Sequence, residues 1–293
     1  MFTDQPTTPR RFEVIIELLQ LLDQHKEQVD EKQLISLLQP SGLDAVNPNS
    51  NQAKITIKAL RDLKIIEGNE KLSLSTSGTT GKEALINALE KYVLPSDDIE
   101  YYFSKFYAYI LGRDENLPLF RDEKVSSLIK EFNKIIFGNA EETKNPFNFD
   151  KYKPLLERWW TYVGLGWVTG LSGNKMWFQP NPYERTQRQL SEVFGKDRSL
   201  ECHIFVKRLG DRCPELDGGT VFNQVNQARA PKKCSAGLSK ALFDLHKSSI
   251  IELNCPKDSD GYDISSGGII PDDDKIQSQR FTDIKYLSDR DQA

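Results

Sequence analysis

Three basic residues, Lys54, Lys58 and Arg61, stand at i, i+4 and i+7, so a helix through them carries one cationic stripe. Their apolar neighbours Ile55, Ala59, Leu60 and Leu63 predict that the opposite face is buried. Asn51 and Gln52, preceded by Asn49, open the same segment. Lysine and arginine meet phosphates or guanine edges, and asparagine or glutamine meets adenine, so the third helix of a helix-turn-helix unit offers this pattern to a DNA major groove. The plain alternative is the solvated outer face that any soluble helix has. A second group, Arg229, Lys232 and Lys233, precedes a predicted helix bearing Lys240 and Lys247, with Lys257 in the loop beyond. Residues 199–257 hold nine lysines and arginines against six aspartates and glutamates, so phosphate contact is most expected there, although Asp258, Asp260 and Asp263 dilute the charge.

Other chemistry finds less support. The run STSGTTGKE, from Ser75 to Glu83, resembles the phosphate-binding loop of AMP-forming adenylating enzymes, but those are much longer and none of their other signatures is present. Thr79 or Thr80 capping a helix from Gly81 through Tyr92 accounts for the same residues, so no nucleotide or other cofactor is expected. His25, His203 and His246 fall in separate predicted helices without an accompanying carboxylate pair or H-E-x-x-H arrangement, and the expectation is a protein that is not an enzyme. Cys202, Cys213, Cys234 and Cys255 are spaced unlike a zinc motif and read as reduced, partly buried thiols. Trp159, Trp160, Trp167 and Trp177 cluster with Tyr162 and Phe178; they share their periodicity with Leu155, Leu156, Val163 and Val168, which predicts that most of this aromatic surface is core. One exposed tryptophan would be a stacking platform or an interface anchor.

The elements that must position these residues repeat. A first helix carries Val14, Ile15, Leu18, Leu19 and Leu22; Asp30 caps a second with Leu34, Ile35, Leu37 and Leu38, stopping near Pro40 and Gly42. The basic third helix follows, and KIIEGNEKLSLS gives two strands about a turn at Gly68 and Asn69. Three helices and a hairpin make a winged helix. In the last third, a helix runs through Leu200, Ile204, Phe205 and Leu209, breaks at Cys213 and Pro214, and is followed by a short helix around Val221, Phe222 and Val225. A third, from Ser235 to Lys247, leads into the strand IIELN, the turn CPKDSDG and a returning strand YDI, a larger wing. Between these, YYFSKFYAYIL, KVSSLIKEFNKIIF and KPLLERWWTYVGLGW predict three more helices before Val168, a turn at GLSGN and the strand KMWFQP, a modified third copy. NAEETKNPFN reads as a loop and NPYERTQRQL as the start of a connecting helix. After Ile264 the Gly, Pro and Asp-rich SSGGIIPDDDK predicts an extended tail that docks only through Phe281, Ile284, Tyr286 and Leu287. The expected fold is therefore mainly α with short β-hairpins, an α+β chain of tandem winged helix-turn-helix units over 1–92, 93–198 and 199–265, with an acidic tail over 266–293.

Composition bounds the function. Apolar residues at 38% and charged residues at 28% suit a folded chain, and a net charge of −4 denies it the global field of a nonspecific nucleic-acid binder, so any DNA contact must be local. The first twenty residues lack a signal-type apolar core and no run of eighteen apolar residues occurs, so a cytoplasmic protein without a membrane partner is expected. In LERWWTYVGLGW, FQPNP and CPELDGG, over Leu156 to Gly219, the sequence resembles DpdG, an accessory protein of bacterial gene clusters for 7-deazaguanine modification of DNA and phage defence. Tandem winged helices also resemble the partner subunits of SMC-like or Rad50-like ATPases. Both resemblances imply a non-catalytic, DNA-contacting or scaffold subunit in bacterial genome defence, with duplex DNA and other subunits such as an ATPase or nuclease as partners. The alternative is a winged-helix transcriptional regulator, which ought to concentrate charge on one recognition helix.

Overall fold

In the computed structural model, the described residues are 8–38, 51–68, 71–75, 79–95, 101–138, 146–171, 175–257, 260–264 and 279–287. The expected features at Pro40, Gly42, Asn49, Asn69, residues 76–78, residues 139–145, the GLSGN tip at 172–174, Asp258 and the start of the tail at 265–278 lie outside them. The chain divides into two units, Met1–Val93 and Leu94–Ala293, and is α+β, with small antiparallel sheets among many helices.

In the first unit, α1 (Pro9–Gln24) turns Phe12, Ile15, Ile16 and Leu19 inward against α3 and α4. The cap predicted at Asp30 forms and is reciprocal: its carboxylate accepts from the Gln33 amide at 2.8 Å while the Gln33 side chain accepts from the Asp30 amide at 3.0 Å, starting α2 (Glu31–Leu38). Helix α3 (Asn51–Asp62) buries Ile57 and Leu60, three residues apart on one face. The expectation that Ile55 lies inward is corrected: Ile57 fills that place and Ile55 is half-buried. β1 (Ile66–Glu67) pairs antiparallel with β2 (Ser73–Leu74), and Leu72 N donates to Val29 O at 2.9 Å, so the extended stretch between α1 and α2 lies beside the returning strand. α4 (Gly81–Tyr92) starts at a full capping box in which Thr80 and Glu83 bond reciprocally.

The second unit begins with α5 (Tyr101–Gly112), the two-residue β3 (Leu117–Pro118) and α6 (Glu123–Phe137). Asn148 caps α7 (Phe149–Pro154), which passes through a π turn at Leu155–Trp159 into α8 (Trp160–Tyr162); Pro154, lacking an N–H, stands at the change of winding. β4 (Gly166–Leu171) and β5 (Lys175–Pro180) follow, in the order β3-β5-β4. The core here is aromatic: the Phe106 ring lies 4.4 Å from Phe147, 4.8 Å from Phe132 and 5.7 Å from both Tyr152 and Trp160.

The chain continues through α9 (Tyr183–Phe194), β6 (Ser199–Glu201), α10 (Cys202–Arg212), α11 (Thr220–Val225), α12 (Ala236–Lys247), β7 (Ile251–Asn254), β8 (Tyr262–Asp263), β9 (Arg280–Phe281) and β10 (Asp283–Tyr286). Two expectations are corrected here. Leu200 sits in β6 rather than in a helix, because Ser199–Glu201 pairs with residues 283–285. The predicted hairpin of IIELN with YDI does not form: β10 lies between β6 and β7, while β8 pairs with β9. The apolar tail residues do dock, with Phe281 and Ile284 fully buried, but as strands, one of them the centre of a sheet. All four cysteines are buried. Among the described residues no helix is long and apolar enough to cross a membrane.

Candidate nucleic-acid interface

Two of the three stripe residues on α3 are open. Lys54 and Lys58 are exposed and engage no other described side chain, while Ile57 and Leu60 face the core behind them. Arg61 is held differently. Its Nη1 donates to Glu31 Oε2 on α2 at 2.7 Å and its Nη2 reaches Gly68 O in the turn after β1 at 3.5 Å, so it ties α3 to its neighbours. Gln52 Oε1 accepts from Arg11 Nη1 at 2.6 Å, and Asn51 begins the helix.

The second predicted group is dispersed. Arg229 is mostly enclosed: Nη1 donates to Gly112 O at 2.6 Å, and Nη2 to the Asp114 carboxylate at 3.1 Å and to Cys234 O at 2.9 Å. Asp114, at a left-handed φ of 57°, also accepts from the Ala236 amide at 2.7 Å, so this pair joins the end of α5 to the start of α12. Lys232 pairs with Asp260 at 3.1 Å in solvent, and Lys233 is half-buried, with its backbone bridging to Asp263. Helix α12 is wrapped on most sides: Leu238, Ser239, Ala241, Leu242 and Leu245 are fully buried. Gly237 is needed because a Cβ there would stand 2.5 Å from Leu111 Cδ1 and 3.1 Å from Pro180 O. Only Lys240 and Lys247 of the predicted group remain on its open side, half-buried and exposed in turn, without a described partner.

The three sequence motifs converge next to α12. From LERWWTYVGLGW, Leu165 O accepts from Tyr107 Oη at 2.7 Å and from Asn181 N at 3.1 Å. From FQPNP, buried Asn181 donates through Nδ2 to Asp244 Oδ2 on α12 at 2.9 Å. From CPELDGG, Glu215 meets Arg185 Nε at 2.9 Å with both side chains buried, while Asp217 accepts from Ser235 N at 2.7 Å and Ser235 Oγ at 2.6 Å. Ser235 in turn caps α12. Burial pushes the Asp217 carboxyl up to about 6 although the Ser235 bonds pull the other way, and burial raises the Tyr107 hydroxyl and the Cys234 thiol well above their ordinary ranges. Gly218, at φ 83°, makes the turn after Asp217, where a Cβ would lie 2.7 Å from Val206 O. Residues 2–260 match the DpdG-like family. The chain belongs to that family. DpdG-like membership ties it to a DNA-modification system and a multiprotein setting. No curated protein and no solved structure matches it. The DpdG-like motifs thus build an internal junction.

Sequence reasoning did not assign Asp114, Asn181, Glu215 or Asp217 a role. Their partners are 122, 63, 30 and 18 residues away, beyond any local pattern. The histidines are scattered: His203 lies in solvent 3.3 Å from Glu201, His246 Nδ1 accepts from Leu253 N at 3.3 Å, and His25 follows α1. Trp159 and Trp160 are core, Trp177 is half-buried, and Trp167 is 38% exposed.

Proposed function

We propose that this DpdG-like protein is a non-catalytic subunit of a DNA-modification system, touching duplex DNA through α3 and using its second unit as a scaffold for other subunits. A recurrent topology supports reading it as three winged helices. In each case a strand or extended stretch follows the first helix, and the last strand lies between it and the strand after the third helix. The orders are Val29, β2, β1; then β3-β5-β4; then β6-β10-β7. The helices are α1, α2, α3; α5, α6 and α7 with α8; and α9, α10, α12 with α11 inserted.

The observation that carries the DNA assignment is the state of α3: Lys54 and Lys58 are exposed and free of described partners on a helix anchored from behind. Each lysine that neutralises a phosphate of B-DNA contributes about 0.9 to the slope of log affinity against log salt. Duplex binding of the full chain, measured by anisotropy across a salt series, is therefore expected to weaken and to lose about 1.8 of that slope when Lys54→Ala and Lys58→Ala are combined. An unchanged affinity and slope would remove α3 from the interface.

A further inference from the structure

The open side of α12 lines a groove. A hollow of about 460 Å³ lies between α12, the end of α5 and β5, within the range of about 300–1,000 Å³ common for ligand sites. It continues into a more open hollow of about 580 Å³ flanked by Trp167 and Tyr183, and Lys240, Asp244 and Lys247 line both.

The charges in this groove are unequal in what they have left to offer. Three of its four acids face a cation, Asp114 with Arg229, Glu115 with Lys124 at 2.5 Å and Glu184 with Arg188 at 3.8 Å, while Asp244 accepts from the neutral Asn181 amide. Lys240 and Lys247 have no partner among the described residues. They stand two turns apart on one helix face, about 10 Å along the axis, a spacing a nucleotide chain spans between phosphates not far apart. The side-chain amides of Asn116 and Gln179, also without described partners, line the deeper hollow, where they suit the donors and acceptors of a base edge. At the other end Trp167 is the most exposed of the chain's tryptophans.

We propose that this groove binds unpaired nucleotides, with phosphates at Lys240 and Lys247, one base stacked on Trp167 and a neighbouring base edge at Asn116 and Gln179. With α12 packed on most sides, a single strand can follow its open side. Aromatic stacking with adjacent cations is the general means of holding single-stranded nucleic acid.

The test uses the full chain with a labelled 12-nucleotide single strand of mixed sequence, the matching duplex, and deoxynucleoside monophosphates as competitors, at low salt. The parent is expected to bind the single strand and to show quenched tryptophan fluorescence. Lys240→Ala with Lys247→Ala should weaken this at least tenfold and flatten its salt slope by about 1.4, at about 0.7 per single-strand phosphate. Trp167→Ala should weaken it about fivefold or more and abolish most of the quench, with Trp167→Phe retaining binding. Competition by monophosphates at low concentration would make a free nucleotide the occupant, and its absence a strand; either supports the groove. Lys54→Ala with Lys58→Ala should leave single-strand binding intact, so a failure at α3 and a failure here are distinguishable. A parent that does not bind the single strand, or lysine variants that bind it with the parent's affinity and slope, would overturn the proposal.

Discussion

Helices α3 and α12 each follow two other helices, lead into a strand and carry lysines at helical spacing, yet α3 presents its lysines freely and α12 is packed on most sides. Behind α3 lies a core of Ile57, Leu60 and Leu63, and in front of it two lysines have no described partner. Around α12, Asp217 and Asp114 grip the first turn, Asn181 grips Asp244, and Leu111 and Pro180 close on Gly237. Local positive charge therefore does not mark the more accessible helix. The denser basic group belongs to the segment in which Arg229 is spent on holding the fold and Lys232 on a solvent-exposed pair.

The largest expected effect falls on the enclosed side. Glu215→Ala leaves the Arg185 guanidinium buried without its carboxylate, and removal of one member of a buried pair costs about 3–5 kcal/mol. Urea unfolding of the second unit would measure it; a loss below about 1 kcal/mol would mean the junction does not lock α12.

Asp217 gives a smaller effect with a distinctive sign. Its carboxyl is raised to about 6 in the folded chain, against about 3.9 when unfolded, so the folded state holds the proton more tightly. The protein is then favoured by protonation at low pH, and this contribution is lost as pH rises through 6. From pH 4 to 6 it amounts to about 3 kcal/mol at most. Unfolding free energies of parent and Asp217→Asn, compared at pH 4, 5, 6 and 7, should diverge across that window, and a constant difference would contradict burial as the cause.

The smallest effect is expected on the open side. Arg61 and Glu31 are both about one-third exposed, at 29% and 34%, so Arg61→Ala should cost no more than about 1 kcal/mol in thermal or urea melts. A loss as large as that of Glu215→Ala would make α3 as firmly pinned as α12 and erase the contrast.

Helix positions were readable because their signals are local: Asp30 with Gln33, Thr80 with Glu83 and Ser235 before α12 all declare themselves within three residues. Burial of Trp159 and Trp160 followed from shared periodicity. Strand order did not, since β10 enters its sheet from more than eighty residues beyond β6, and the two-residue β3 has no period to detect. The candidate site divided along the same line. The exposure of Lys54 and Lys58 follows from the apolar face opposite them, whereas the capture of Arg229 depends on Asp114 and Gly112, more than a hundred residues earlier.

Site-directed photocrosslinking tests the contrast most directly. Lys58→Cys and Lys240→Cys, each coupled to a short photoreactive group, would be irradiated with the same labelled duplex; the native cysteines are buried and should label slowly. Efficient crosslinking to the duplex from position 58, with little or none from position 240, is the expected result. Duplex crosslinks from position 240 and none from position 58 would contradict the assignment of DNA contact to α3.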